Sequence, residues 1–134
     1  DGAIYQYQEA IDLTPDDLFA HTNLSSALKR KGDIEGAIRE CRVAIELAPQ
    51  HPAPHFNLGE LLLEKGDLEG AAEEFSAAVD GLPEPVGRNP VAWIRRGQAL
   101  YRARRYDDAR KALEKAIERY LMLTAIEPNA EHFQ

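Results

Sequence analysis

The sequence predicts an all-α fold, a solenoid of antiparallel helix hairpins, and three observations support this prediction. The chain repeats itself with a period of 34 residues, which Pro15, Pro49 and Pro83 mark most clearly. Apolar and small residues recur within each period at helical spacing. Turn signals, such as Gly32 and its counterpart Gly66, divide each period into two halves. A unit of this size cannot bury its own apolar face, so the units must stack on one another.

The first helix of the first complete unit is predicted by an apolar stripe and by the residues that end it. Phe19, Leu24 and Leu28 mark the stripe. Gly32 then supplies a left-handed stop, and Asp33 is a preferred cap for the helix that follows. The same reasoning along the chain predicts seven helices, at about residues 2–13, 17–31, 34–47, 52–65, 68–81, 90–103 and 106–126.

The second helix of this unit is predicted by small residues that share one face. Ala37, Cys41 and Ala44 recur at helical spacing, and the helix ends before Pro49. The two alanines let the paired helices approach closely. Cys41 stands at the position of Phe75 in the next unit, so we expect it to be a small buried residue.

The third unit departs from the pattern in its preceding loop and in its turn. Six residues separate Pro83 from Pro90, whereas two separate the corresponding prolines one unit earlier, so this loop carries a four-residue insertion. Surface loops tolerate such insertions. Arg96 stands where a Leu is expected, and Arg104 and Arg105 stand where the other units have Gly and Asp. These substitutions leave open how closely the third unit packs on the second.

The last helix is expected to be unusually long. The proline that closes the unit is expected at position 121 but occurs at Pro128, seven residues later. Seven residues are nearly two helical turns, so the apolar stripe through Leu113 and Ile117 continues in phase. The extension carries apolar side chains that need a cover, either a following repeat or another subunit. These residues are Tyr120, Leu121, Met122, Leu123 and Ile126.

The repeating pattern resembles the tetratricopeptide repeat, whose signature is an aromatic residue or His, Leu-Gly, a large residue, Ala, an aromatic residue, Ala and Pro. In the second unit these positions are His55, Leu58, Gly59, Leu62, Ala71, Phe75, Ala78 and Pro83. In the third unit they are Trp93, Gly97, Leu100, Ala109, Leu113 and Ala116. The resemblance implies that the solenoid is a right-handed superhelix. It also implies a single domain over residues 1–134, with the second helix of a partial repeat at 1–15, repeats at 18–51, 52–85 and 90–128, and the start of a next unit at 129–134.

Composition and charge favour a soluble domain that acts on a partner. With 44% hydrophobic and 29% charged residues, the chain has the balance of a folded globular protein. Its apolar runs are far shorter than the roughly 20 residues of a membrane span. The chain has no initiator Met, so any targeting signal is expected to lie outside it, and a cytoplasmic location is expected. The net charge is -7, yet the segment 88–115 is basic and forms either a solvated face or a patch for an acidic partner.

The sequence shows no arrangement typical of an enzyme, so we predict no catalytic, cofactor-binding or metal-binding residues. His51 and His55 have the spacing of helical metal ligands, but two prolines lie between them, and zinc sites normally need three or four convergent ligands. No His is placed to activate Cys41. The glycines have turn or packing roles and form no phosphate-binding loop.

The resemblance implies a scaffold for protein-protein interaction that binds an extended peptide or partner segment in its concave groove. Stacked hairpins curve, and the first helices of the units line the concave side. The groove-facing positions carried over from the family are Phe19, Thr22, Asn23, Ser26, Phe56, Asn57, Glu60, Leu63, Val91, Ile94, Arg95, Gln98, Tyr101 and Arg102. Asn23 and Asn57 resemble the asparagine ladder in the superhelix of O-GlcNAc transferases, where amides hold a peptide backbone, although Asn is also common at this position in many such repeats.

The carboxylate clamp of the chaperone-binding members of the family is not expected. That clamp combines two Lys, two Asn and one Arg, of which only Asn57 and Arg95 match. The remaining positions are occupied by Thr22, Ser26 and Val91.

The expected partner is therefore a protein or peptide segment that is partly apolar and acidic at the end facing the third unit. Arg95 and Arg102 would offer donors to its carboxylates. Self-association through the ends is a second expectation. The alternative is a structural, oligomerisation or regulatory module of a larger enzyme. Nucleic acid is disfavoured because the basic segment has few interleaved aromatic residues besides Trp93 and Tyr101.

Overall fold

The computed structural model of the chain describes residues 2–79 and 90–126. Within these ranges there are seven α-helices and no strand. The helices are α1 (Gly2–Leu13), α2 (Leu18–Lys31), α3 (Ile34–Leu47), α4 (Pro52–Lys65), α5 (Leu68–Val79), α6 (Pro90–Arg102) and α7 (Tyr106–Ile126). The all-α prediction is confirmed, and every described helix end lies within a residue of its expected position. The expected end of the fifth helix at residue 81 and the inserted loop before Pro90 lie outside the described residues.

The helix ends follow from the side chains that cap them. Asp17 accepts hydrogen bonds from two backbone N–H groups in the first turn of α2, at 3.0 and 3.2 Å, and therefore α2 begins at Leu18. Gly32 ends α2 with a φ of 95°, and Gly66 ends α4 with a φ of 94°. Both angles lie in the left-handed region that favours glycine. Asp33 caps α3 by accepting a hydrogen bond of 2.9 Å, so the predicted stop and cap are confirmed.

The turn between α6 and α7 achieves the same chain reversal with arginines. Arg104 adopts a φ of 64° where the other units have glycine. Arg105 stands in place of the capping aspartate and donates to Asp108 at 2.8 Å and to Glu69 of α5 at 2.8 Å. The third unit is thus tied to the second by an ion pair on the surface.

Small residues allow the helices to pack closely as stacked antiparallel hairpins. Ala37, Ala44 and Ala71 are completely buried, as the repeat pattern predicts. Cys41 is 1% exposed and belongs to the same core, which confirms that it is a buried residue. Each helix packs mainly on the helix before it and the helix after it in the chain. The result is an α-solenoid in which the first helices α2, α4 and α6 alternate with the second helices α3, α5 and α7.

The last helix is the longest, with 21 residues compared with 14 in α3. Its final turns carry four consecutive exposed apolar residues, with exposures of 59% for Tyr120, 59% for Leu121, 40% for Met122 and 40% for Leu123. The side chain of Ile126 lies outside the described part of the structure. Among the described residues, none of the helices combines the length and the apolar character that crossing a membrane requires.

Candidate protein-binding groove

A hollow of about 620 Å³ crosses the first helices of all three units. Each of α2, α4 and α6 contributes side chains to its wall, so a ligand in it would touch three repeats at once. The residues that line the hollow, called the groove below, are Ser25, Ser26, Lys29, Arg30, Phe56, Asn57, Glu60, Leu61, Glu64, Val91 and Arg95.

Six of the fourteen predicted groove residues lie in this hollow. They are Ser26, Phe56, Asn57, Glu60, Val91 and Arg95. A second hollow, also of about 620 Å³, adjoins it at Arg95 and is lined by Leu63, Ile94, Gln98, Tyr101 and Arg102 as well. Leu113 of α7 lines this second hollow, which therefore extends from the first helices onto the face of the last hairpin.

The three predicted residues nearest the start of α2 line neither hollow. Phe19 is 74% exposed, and Asn23 is exposed as well. The Thr22 hydroxyl donates to the backbone carbonyl of Leu18 at 2.8 Å. Asn23 and Asn57 were expected to resemble an asparagine ladder. Of the two, only Asn57 lines the groove, where it is half-buried.

Arg95 makes an ion pair within the groove. Its Nε lies 2.9 Å from Glu60 Oε1, and its Nη1 donates to Gln98 Oε1 at 3.2 Å. Arg95 is thus already engaged by the chain itself. Lys29 and Arg30, which the sequence reasoning missed, line the groove and make no ion pair within the described ranges. The run Lys29-Arg30-Lys31 in the last turn of α2 is the sequence signal that could have found them.

The groove also has an apolar part. Phe56 lines it and packs edge-on against the buried ring of Phe75, with 5.5 Å between the ring centroids. Val91, at the other wall, is 45% exposed. A half-buried aromatic ring held by a buried partner is a rigid contact surface, which favours binding of an apolar side chain.

Two histidines brace the first two hairpins. In His21, Nδ1 lies 2.6 Å from Glu40 Oε2 and Nε2 lies 2.7 Å from the carbonyl oxygen of Pro15. His55 repeats the arrangement with Glu74 and the Pro49 carbonyl, both at 2.8 Å. In both histidines, each ring nitrogen therefore faces an acceptor oxygen.

The environment of His21 has a defined effect on its protonation. Burial alone would lower the pKa of His21, but the hydrogen bonds to Glu40 and to the Pro15 carbonyl outweigh it, and the pKa is raised above its usual 6.5. His51 serves a different purpose, because its Nδ1 accepts a hydrogen bond from a backbone N–H in the first turn of α4 at 3.2 Å. In the described part of the chain, no three His, Cys, Asp or Glu side chains are grouped to hold a metal ion.

Cys41 has the environment of a structural residue. Burial raises the pKa of its thiol, although the nearby Ser25 hydroxyl, 3.0 Å from Sγ, acts in the opposite direction. A buried thiol with a raised pKa is a poor nucleophile.

Comparison with known proteins agrees with the fold. Family models described as tetratricopeptide repeat match residues 1–52, 23–84 and 90–120. No curated protein sequence matches the chain significantly. Two crystal structures of MamA superpose with TM-scores of 0.80 and 0.81 at 19% and 21% identity, over 88% and 92% of this chain. The structure of YrrB, described as a TPR protein with an unusual peptide-binding site, superposes with a TM-score of 0.72 at 20% identity over 84% of this chain.

These likenesses concern the fold, because the identities are low. The chain spans 67% and 66% of the two MamA chains and 56% of the YrrB chain. The family matches, in contrast, cover most of this sequence and coincide with the stacked hairpins of the structure. The chain belongs to the tetratricopeptide repeat family.

Proposed function

We propose that this chain is a protein-interaction module whose groove binds an extended segment of a partner protein. The observation that carries the proposal is the hollow of about 620 Å³ that crosses α2, α4 and α6. An extended segment lying across these helices would contact all three repeats. We assign the chain no catalytic role.

The side chains of the groove suggest how such a segment is held. The amide of Asn57 can donate to and accept from a peptide backbone at the same time. Phe56 offers an apolar contact beside it. Lys29 and Arg30 lie at the α2 wall and would attract acidic residues of the partner. We therefore propose that the acidic end of the segment lies at α2, because the guanidinium group of Arg95 is engaged with Glu60.

The peptide-binding site of YrrB offers indirect support for this function. That site belongs to YrrB, and its likeness to this chain is one of fold. The proposal rests on the groove residues of the present chain.

The two asparagines provide a matched test of the groove. Asn23 and Asn57 occupy the same position in successive repeats, but only Asn57 lines the groove. Proteins captured from the source lysate by the wild-type chain would be quantified beside those captured by Asn57→Ala and by Asn23→Ala. We expect Asn57→Ala to lose partners that Asn23→Ala retains. Equal capture by all three proteins would move the binding site away from the groove.

A charge variant tests the orientation of the segment. Lys29→Ala with Arg30→Ala should lower the association rate of a captured partner and reduce its dependence on salt, since these side chains line the groove without an ion pair. A matched double variant, Arg39→Ala with Arg42→Ala on the exposed face of α3, should leave both quantities unchanged. Identical effects of the two double variants would contradict the proposed orientation.

Self-association through the end of α7 is a second proposed function. The four consecutive exposed apolar residues from Tyr120 to Leu123 surround the helix instead of forming a single stripe, which is unusual for a solvated helix. Light scattering should show association of the wild-type chain and its loss in Leu123→Glu. Leu13→Glu is the matched control, because Leu13 is 86% exposed at the end of α1. A monomeric wild-type chain at high concentration would remove this function.

A further inference from the structure

The His–Glu pair that braces each of the first two hairpins has no counterpart among the described residues of the third. His21 and His55 each bond a glutamate that follows 19 residues later, Glu40 or Glu74. The third hairpin has Trp93 at the histidine position and, again 19 residues later, Ala112 at the glutamate position. An indole can donate a hydrogen bond but cannot accept one, and alanine cannot accept one through its side chain. The third hairpin thus keeps a donor at this place and lacks the carboxylate that the others provide.

A hollow lies beside Ala112, the residue at the glutamate position. It measures about 490 Å³, and Trp93, Arg96 and Ala112 all line it. The indole Nε1 of Trp93 and the Nε of Arg96 are both buried, and neither has an acceptor among the described residues. The guanidinium carbon of Arg96 lies 5.6 Å from the centre of the Trp93 ring, so the two donors belong to one cluster. Buried donors without acceptors are rare and costly in folded proteins.

The charged residues around the hollow leave it open to an anion. Its three cations are Arg96, Lys111 and Lys115, and its three acids are Asp108, Glu114 and Glu118. Asp108 is paired with Arg105 at 2.8 Å, and Glu118 is paired with Lys115 at 3.4 Å. Arg96, Lys111 and Glu114 make no ion pair in the described ranges, so two positive charges and one negative charge remain unpaired at the hollow.

We propose that this hollow is a carboxylate-binding site. A carboxylate from outside the chain accepts hydrogen bonds from the Trp93 indole N–H and the Arg96 Nε–H, in the place that Glu40 and Glu74 occupy in the first two hairpins. At 100° per residue, Trp93 lies about 160° around α6 from Arg95. The site is therefore on the other side of α6 from the groove and is independent of the proposed function.

The single tryptophan of the chain gives a direct measurement. Trp93 is the sole Trp, so a ¹⁵N-labelled sample shows one indole N–H signal in its NMR spectrum. Sodium acetate would be titrated against sodium chloride at the same ionic strength. We expect a saturable downfield shift of the indole proton with acetate and none with chloride, because hydrogen bonding to a carboxylate deshields the proton.

Substitutions at Ala112 control this measurement. Ala112→Glu restores the carboxylate of the other hairpins, so the indole proton should lie downfield without acetate and should not respond to it. Ala112→Leu fills the hollow without an acceptor, so the proton should stay upfield throughout. Should either substitution unfold the chain, the wild-type titration and a titration of Arg96→Met, expected to show a weakened response, decide the question.

A peptide titration distinguishes the possible sources of the carboxylate. The peptide N-acetyl-Ala-Glu-Ala-amide would be titrated beside acetate. Tighter binding of the peptide assigns the site to acidic side chains of a protein partner, and equal binding assigns it to small carboxylates.

The proposal is wrong if the wild-type indole proton does not respond to saturating acetate. It is also wrong if that proton already lies downfield without acetate and Glu114→Gln or Glu118→Gln returns it upfield, since the chain would then fill its own site.

Discussion

The ring of Phe75 lies so close to Gly59 that a side chain at position 59 has no room: a Cβ there would come within 2.6 Å of Phe75 Cε1. Gly97 has the same relationship with Leu113, at 2.7 Å. In the first unit the corresponding pair has a hydroxyl and a thiol 3.0 Å apart, since Ser25 faces Cys41. At this pair of positions, a small residue on the first helix of each hairpin therefore leaves room for the side chain on the second helix.

Replacing Gly59 with Ser should destabilise the chain by roughly 1–3 kcal/mol, because overpacking a core displaces well-fitted side chains. Adding Phe75→Cys recreates the pair of the first unit. In urea denaturation the double variant should be more stable than the sum of the two single effects predicts, by about 1 kcal/mol or more. Additive effects would mean that the two positions are not coupled.

Arg104→Gly should stabilise the chain. Arg104 holds a φ of 64° at a turn where the other two units have glycines with φ near 95°, and a left-handed backbone costs a side-chain-bearing residue about 1 kcal/mol. Thermal denaturation should show a higher midpoint for Arg104→Gly. Gly32→Ala, the reverse change at the equivalent turn, should lower it, and a lower midpoint for Arg104→Gly would contradict this account.

Stability should depend on pH through His21. Because the pKa of His21 is raised in the folded chain, its imidazolium contributes stability that is fully present below the unfolded pKa of 6.5. This contribution is lost as the pH rises through the higher folded pKa. Denaturation midpoints at about pH 6 and about pH 9 should therefore differ more in the wild-type chain than in Glu40→Gln, which lacks the carboxylate bonded to His21. The same difference between the two midpoints in both proteins would contradict this prediction.

A larger residue at Ala71 should force α4 and α5 apart. Ala71 is completely buried, so Ala71→Leu should cost roughly 1–3 kcal/mol. Ala77→Leu is the matched control, because Ala77 lies exposed on the same helix. Urea denaturation with the same midpoint for both variants would show that Ala71 is not at the helix contact.

The helices and their ends could be predicted because their signals are local. Asp17 and Gly32 act on backbone groups a few residues away, and the period repeats these signals along the chain. The burial of Cys41 was predictable for the same reason, since it shares the phase of Phe75.

The details of the groove could not be predicted, because they depend on contacts between helices. Sequence position places Arg95 toward the groove, but only the stacking of the third hairpin on the second brings Glu60 within 2.9 Å of it. The stacking of the hairpins likewise decides that Asn57 lines the hollow and that Asn23 does not. The Trp93 indole N–H without an acceptor could not be predicted either, because it depends on the combination of Trp93 with Ala112 on another helix.

The packing of each helix mainly on its sequence neighbours means that the array need not unfold in a single step. The terminal helices can open while the central hairpin stays folded, so amide hydrogen exchange should be fastest at α1 and α7 and slowest in α4 and α5. A segment lying across α2, α4 and α6 would contact all three repeats at once, whereas the first helices otherwise contact one another mainly through the intervening helices. Such a ligand would couple the stabilities of the three repeats. Its binding would therefore appear as greater cooperativity of unfolding, even at helices that it does not touch.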